Sequence, residues 1–258
     1  MNDTARIGDV MEDSAMDDCR PFEAIDLTGK KVLIVGIANE HSLAWAAARW
    51  LRRAGAELAV IHYNEKAKSF VEPLAKQADA EIFLPCDVAV PGQLETVFAA
   101  MTARWARVDI VVHAIAWARK EDLHGRLTDC SAEGFAEAMT ISCHSFLRMA
   151  KLAEPLMRDG GSLLTLSYCG AEKVVDHYNV MGPIKAALES SVKYLAYELG
   201  PKNIRVNAIS AGPVKTRAAY GILYFDELLN ETARRAPMRG LVSARRGRTN
   251  RVDAGRAD

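Results

Sequence analysis

Short apolar runs alternate with helix-length segments along most of this 258-residue chain. The first run, Lys31–Gly36, reads KVLIVG, which is typical of a strand that is buried on both faces. Five similar runs follow it, at Glu57–His62, Glu81–Pro85, Asp109–Ile115, Ser162–Leu166 and Ile204–Ile209. Strands that alternate with helices are joined by right-handed crossovers. The sequence therefore predicts an α/β fold with a parallel, doubly wound sheet of the Rossmann type.

The segments between these runs are predicted to be helices. Their expected ranges are His41–Arg53, Lys66–Gln77, Pro91–Arg104, Ala132–Met157 and about Asn179–Leu199. Neither an internal repeat nor a linker divides the chain, so one domain over residues 27–241 is expected. Residues 1–26 are predicted to be a polar extension, and the Arg-rich residues 242–258 a disordered tail.

The composition excludes several classes of protein. Lys and Arg total 33, as do Asp and Glu, so no net charge attracts the chain to nucleic acid or to an anionic membrane. No run approaches the roughly 20 apolar residues of a spanning helix. The acidic start does not resemble a secretory signal, so the cytoplasm is the default location. The five cysteines are scattered without metal-ligand spacing, and no metal is expected.

The loop after the first strand has features of a phosphate-binding turn. Gly36 ends the strand, and a helix opens near Ser42. Glycine allows a dinucleotide to approach the backbone, and a helix N-terminus presents free N–H donors. The fingerprint G-x-G-x-x-G is absent, so a glycine that merely ends a strand is an equal alternative on this feature alone.

Two longer strings resemble a known family. Residues 36–45 read GIANEHSLAW, and residues 178–185 read YNVMGPIK. Both strings resemble the enoyl-[acyl-carrier-protein] reductases, a divergent branch of the short-chain dehydrogenase/reductase family. In that branch a glycine, five residues, a serine and an aromatic replace the glycine-rich loop. The resemblance implies that Gly36, Ser42 and Leu43 contact the cofactor phosphates.

The same resemblance assigns further cofactor contacts at strand ends. Asp87 and Val88 are expected around the adenine, and Ile115 against the nicotinamide ribose. Tyr63 stands where these reductases commonly have Gln or Arg. No arginine is adjacent to Tyr63, so NADH is favoured, although Lys66 and Lys68 leave NADPH possible.

Tyr178 and Lys185 are the predicted catalytic residues. Seven residues are close to two helical turns, so both side chains are expected on one helix face, about 20° apart. The Tyr-x6-Lys spacing is that of the enoyl reductases. Their chemistry needs a phenol to stabilise a developing enolate and an ammonium to hold the ribose hydroxyls. Without the family resemblance, the two residues would be read as ordinary surface or core residues.

The resemblance also defines a substrate pocket. Tyr168 is expected to line it, in a catalytic or a packing role, and Ala118 to contact the substrate with Tyr168 and Tyr178. The segment SAGP at residues 210–213 is expected to lead into nicotinamide contacts by Val214, Lys215, Thr216, Arg217 and Ala218. Residues 219–225 would then cover the acyl chain, with Gly221 as a hinge.

The implied activity is NAD(P)H-dependent reduction of trans-2-enoyl-acyl-carrier-protein in bacterial fatty-acid synthesis, with acyl carrier protein as partner. The family forms tetramers, but no final helix and strand follow Leu241, so the sheet is expected to lack its last strand. Two alternatives stay open. One is a ketone or alcohol oxidoreductase, although Thr165 stands where such enzymes have serine. The other is a non-catalytic nucleotide-binding paralogue.

Overall fold

The computed structural model describes residues 25–216, 219–237 and 239–241. The predictions for the tail at 242–258 and for Arg217 and Ala218 lie outside the described residues. Almost all of the predicted N-terminal extension does so too.

Six parallel strands form one sheet in the described part of the chain, in the order β3-β2-β1-β4-β5-β6. The strands are β1 Lys31–Val35, β2 Glu57–His62, β3 Ile82–Pro85, β4 Ile110–His113, β5 Gly161–Ser167 and β6 Ile204–Ser210. The predicted doubly wound fold is confirmed. Strand order reverses between β1 and β4, which is where such sheets bind ligands at their carboxyl ends.

Within the residues that the structure describes, eight α-helices connect or follow these strands. They are α1 Leu43–Arg53, α2 Glu65–Gln77, α3 Gln93–Trp105, α4 Lys120–His124, α5 Ala132–Met139, α6 Ser145–Ala153, α7 Met181–Leu199 and α8 Phe225–Arg235. Side chains cap two of them, since Asn64 accepts from the Ala67 amide at α2 and Ser131 accepts from the Gly134 amide at α5. None of the helices in the ranges described is long and apolar enough to span a membrane.

Helices cover both faces of the sheet because the central strands are apolar on both sides. Along β1, Leu33 and Val35 belong to a core cluster with residues of α3, α6 and α7. Val32 and Ile34 face the other way and join a cluster with residues of α1 and α2. A continuous apolar run, rather than an alternating one, is what a strand buried on two faces requires.

The structure differs from the expected helices at three points. The helix predicted over Ala132–Met157 is broken into α5 and α6 by a π turn at Thr140–His144. The five-residue helix α4 was not predicted. Helix α7 begins at Met181, which leaves Tyr178 on the preceding turn.

Strand β6 lies at an edge of the sheet as described. It pairs with β5 along its whole length, from Gly161 with Ile204 to Ser167 with Ser210. The expectation that no strand extends the sheet beyond β6 depends on residues 242–258 as well, and therefore stays a prediction.

Candidate active site

A cavity of about 420 Å³ opens at the carboxyl ends of the strands. Its wall comes from the loops after β4 and β6, the end of β5, the start of α1 and the segment leading into α8. The lining side chains are mostly apolar. They include six predicted site residues: Leu43, Ala118, Tyr168, Tyr178, Val214 and Thr216.

Gly36 follows β1 and lies in close contact with the loop after β4. Its φ is +105°, and a Cβ atom added there would lie 2.2 Å from the Ala114 carbonyl oxygen. Only glycine fits such a conformation and such an approach. The following helix α1 begins at Leu43 without an acidic residue in its first turn. Leu43 lines the cavity, and no acidic side chain in the first turn of α1 would repel an anion there.

The other predicted cofactor residues surround this edge of the sheet but do not line the cavity. Ser42 precedes α1, and its hydroxyl donates to the Asn39 carbonyl at 2.5 Å. Tyr63 is exposed after β2. Asp87 is partly buried and accepts from the Ala89 amide at 2.9 Å, whereas Val88 is buried. Ile115 packs against the core beneath the loop after β4.

Tyr178 is held by a turn with an unusual backbone. Its neighbours His177 and Asn179 have φ values of 63° and 39°, in the left-handed region that non-glycine residues rarely adopt. The Asn179 side-chain amide donates to the Leu123 carbonyl at 2.8 Å. The Tyr178 ring thus lines the cavity from the turn that leads into α7, where the Tyr178 carbonyl accepts from the Met181 amide at 3.0 Å.

The Tyr178 ring is buried, but its hydroxyl is free. The ring meets Tyr168 edge-on with centroids 5.0 Å apart. Among the described residues, none hydrogen-bonds the Tyr178 hydroxyl, and no fully buried side-chain oxygen lacks a partner. The hydroxyl is therefore accessible from the cavity. Burial, and then the charges of Tyr168 and Cys169, raise the pKa of Tyr178, so the phenol stays protonated at neutral pH.

Lys185 lies one turn inside α7 and is 4% exposed. Its ammonium donates to the Leu166 carbonyl at 2.6 Å, next to the cavity residue Ser167. Burial is the main cause that lowers the pKa of Lys185 to about 8. The expected arrangement of Tyr178 and Lys185 on one helix face is wrong, because Tyr178 precedes α7. Tyr178 lines the cavity, whereas Lys185 does not and lies beside the end of β5 through its bond to Leu166.

The segment after β6 covers the cavity. Val214 and Thr216 line it, while Lys215 is exposed. A turn at Ala219–Gly221 and the start of α8 complete the wall, and the Gly221 carbonyl lies 2.7 Å from His124 Nε2. The hinge role expected for Gly221 stays a prediction.

Gly170 is a site residue that the sequence reasoning missed. A Cβ atom there would lie 2.4 Å from Tyr178 Cδ1 and 3.4 Å from Tyr168 Cδ1. Glycine therefore makes room for both rings. The string Tyr-Cys-Gly after β5 carried the signal, but nothing in the sequence said which ring would lie over the glycine.

A separate buried cluster lies behind the cavity. His113 is fully buried, with Nδ1 2.8 Å from Thr165 Oγ1 and Nε2 2.8 Å from Ser145 Oγ. Burial, and then the charge of Lys185, lower the pKa of His113 to about 3, so the ring is neutral. Thr165 is thus committed to His113 and is 1% exposed. We refer to His113, Thr165 and Ser145 as the His113 cluster.

Over the ranges described, no three His, Cys, Asp or Glu side chains are grouped to hold a metal ion. The parallel sheet, its switch point between β1 and β4, and the glycine loop before α1 define a dinucleotide-binding α/β protein. The family model for enoyl-(acyl carrier protein) reductase matches residues 36–246. The chain belongs to this enoyl-acyl-carrier-protein reductase family.

Individual relatives agree with this assignment. An NADH enoyl-acyl-carrier-protein reductase of Rhizobium meliloti is 49% identical over 84% of this chain and 80% of its own length. The corresponding NADH enzyme of Rickettsia felis is 46% identical, over 83% and 82%. The crystal structure of the Anaplasma phagocytophilum reductase in complex with NAD is 48% identical, with a TM-score of 0.82 over 86% of this chain and 84% of that one.

Proposed function

We propose that this chain reduces the trans-2 double bond of enoyl thioesters on acyl carrier protein, with NADH as reductant, in fatty-acid synthesis. The observation that carries the proposal is the free, protonated Tyr178 hydroxyl in an apolar cavity at the strand switch point. The relatives named as NADH enoyl-acyl-carrier-protein reductases support the same reaction.

The residues around the cavity fit a nicotinamide dinucleotide. The close approach at Gly36 and the N-terminus of α1 suit a pyrophosphate, with Ser42 and Leu43 beside it. Asp87 and Val88 would lie at the adenine, and Ile115 at the nicotinamide ribose. Val214 through Ala218 would supply the contacts on the nicotinamide side. When bound, the cofactor supplies the hydride that the substrate's β-carbon accepts.

Tyr178 supplies the hydrogen bond that the reaction needs. Hydride addition at the β-carbon places negative charge on the thioester oxygen, and a proton then completes the α-carbon. A phenol that donates to this oxygen stabilises the charge as it develops. The raised pKa keeps the donor proton on Tyr178. Tyr168 borders the same space edge-on and would orient the thioester together with Ala118.

Lys185 would hold the ribose hydroxyls and add positive charge behind the phenol. With a pKa of about 8, the side chain is mostly protonated at pH 7. Its ammonium has three N–H donors and uses one of them in the bond to the Leu166 carbonyl, so donors remain for a bound ribose.

NADH is favoured over NADPH at the adenine ribose. Tyr63 there is exposed and carries no charge. Lys66 and Lys68 are the basic residues nearby that left NADPH possible, and Lys68 pairs with Glu65 at 3.6 Å. A ribose phosphate would therefore have to compete with a carboxylate for Lys68.

Chemistry on a ketone or alcohol is not favoured. Thr165, at the position of the serine of those enzymes, is enclosed in the His113 cluster and does not line the cavity. Its hydroxyl therefore has no access to a substrate.

The test is an absorbance assay of the whole chain with NADH or NADPH and crotonyl thioester. Oxidation of NADH that depends on the enoyl thioester is the expected result. Turnover on ketones alone, or cofactor binding without turnover on any thioester, would refute the proposal. Acyl carrier protein as carrier, a homotetrameric assembly and a cytoplasmic location are proposed with it. A lower KM for carrier-bound than for free thioesters would support the carrier. Size-exclusion chromatography tests the tetramer, and cell fractionation tests the location.

A further inference from the structure

Ser142 is a fully buried serine in the middle of the π turn between α5 and α6. Its hydroxyl accepts from the Trp117 amide at 2.8 Å and donates to the Trp117 carbonyl at 2.9 Å. One side chain thus satisfies both polar backbone groups of a residue 25 positions away.

The loop that Ser142 holds forms part of the cavity wall. Residues 114–119 connect β4 to α4 without regular structure. Ala116, Trp117 and Ala118 of this loop line the cavity. At its start, the Ala114 amide donates to the Val35 carbonyl at 2.9 Å. Further along the loop, Ser142 holds Trp117, the residue before Ala118. This contact fixes the position of the loop relative to the residues on the other side of the cavity.

The π turn itself is fixed to the sheet. The Ser145 hydroxyl donates to the Ile141 carbonyl at 2.6 Å, inside the turn. Because the Ser145 hydroxyl uses its hydrogen in this bond, its oxygen accepts from His113 Nε2–H. His113 Nδ1 is then the acceptor for the Thr165 hydroxyl. A chain of hydrogen bonds therefore leads from β5 and β4 into the π turn that presents Ser142. Such turns inside α-helices are frequent at functional sites.

We propose that Ser142 is a positioning residue for the reduction. It fixes the Trp117 backbone, and through it the wall against which the enoyl thioester lies. The inference rests on the proposed function. Ile115 packs independently against the core, so Ser142 is assigned to substrate placement rather than to cofactor binding.

The kinetic test compares Ser142→Ala with Ser191→Ala. Ser191 lies beside the π turn, with its hydroxyl near Cys143 Sγ and bonded to the Ala187 carbonyl within α7, so it is a partly buried serine control next to the same turn. For Ser142→Ala, kcat/KM for the enoyl thioester should fall at least tenfold, because small misplacements in a site are costly. The Kd of NADH should change less than threefold, and the control should change neither.

A second pair of variants isolates the hydroxyl from side-chain volume. Ser142→Thr and Ser142→Val add the same bulk, and the threonine alone keeps the donor and acceptor. Higher kcat/KM in the threonine variant supports positioning by hydrogen bonds. Equal kcat/KM in the two variants would assign the effect to volume and overturn the proposal.

Hydrogen exchange separates this inference from the proposed function. In Ser142→Ala, amide exchange of the peptide that contains Trp117 should rise at least tenfold, and in Ser191→Ala it should not. Unchanged exchange, or faster exchange with unchanged kcat/KM, would refute a positioning role. Absence of turnover on thioesters in the wild-type chain would instead refute the proposed function. The hydrogen-exchange comparison would still decide whether Ser142 holds the loop.

Discussion

Two groups of buried polar side chains lie at the carboxyl ends of the central strands, and they differ in how fully they are paired. In the His113 cluster, every donor and acceptor of the ring has a partner, and all three residues are at most 1% exposed. Tyr178 and Lys185 are nearly as buried, yet the phenol has no partner among the described residues and the ammonium keeps spare donors.

The difference separates side chains that stabilise the fold from side chains that are available to a substrate or cofactor. A fully paired buried cluster gains nothing from a ligand, and breaking it leaves uncompensated polar groups that cost stability. Unpaired donors that face a cavity cost some stability but can bind a developing charge. We therefore expect substitutions in the two groups to affect different measurements.

The largest expected effect is on turnover. Tyr178→Phe removes only the hydroxyl, so kcat should fall about 10²- to 10³-fold, the range found when one oxyanion donor is lost. The free energy of unfolding should change by less than about 1 kcal/mol, because no protein partner is left unpaired. Thioester-dependent NADH oxidation and denaturant unfolding measure the two quantities. A stability loss as large as the loss in kcat would contradict the separation.

The next effect should fall on stability. His113→Ala creates a cavity, leaves the Thr165 hydroxyl without its partner and removes the donor to Ser145, so the protein should lose about 3 kcal/mol of unfolding free energy. The folded ring stays neutral, whereas the unfolded ring gains a proton below its ordinary pKa of 6.5, so this loss should shrink as the pH falls from 8 to 5. Urea unfolding across that range checks both points. A loss that grows steeply toward pH 5 would mean that the ring is charged in the native state.

A smaller effect tests the placement of the phenol. Gly170→Ala pushes a methyl group into the Tyr178 ring, so kcat should fall about tenfold, equivalent to about 1.4 kcal/mol. Gly200→Ala is the control, because its Cβ would meet no atom within 4 Å. Equal kcat in the two variants would show that the ring shifts without consequence.

The last test is a pH dependence of stability. The native pKa of Lys185 is about 8, below its ordinary value of 10.5, so between these two pH values the unfolded chain binds more protons than the folded one. Stability from this residue should therefore rise with pH between about 8 and 10.5 and be constant below about 8. Over the same range, kcat/KM should fall as the ammonium is lost. Lys185→Met should make the slope of unfolding free energy against pH less positive than in the wild type, and an equal or more positive slope in the variant would refute this assignment.

The strands were largely predictable from the sequence because both-face burial demands continuous apolar runs. All six were predicted to within two residues, and Glu57–His62 was predicted with its observed bounds. Helix α4 has only five residues, too few to show a period. The π turn was also invisible, since one extra residue in a helix leaves the surrounding apolar pattern almost unchanged.

The site was only partly predictable. Motif resemblance identified Tyr178 and Lys185, but the helical period could not place Tyr178. The residues on either side of it are left-handed, so helix α7 begins only after it, at Met181. Ser142 and Gly170 act through contacts with Trp117 and Tyr178 that are set by the fold and leave no pattern along the chain. The roles assigned to the cofactor residues stay predictions.

The sheet order also has a consequence for biosynthesis. Because β1 lies between β2 and β4, and the cavity draws on residues from Leu43 to Leu228, the active site cannot close until nearly the whole chain has left the ribosome. Until Ile110–His113 has emerged, β1 has an open edge on the side of β4, and an unpaired strand edge of this kind favours aggregation. In refolding experiments, NADH binding should recover only with the slowest phase of sheet formation.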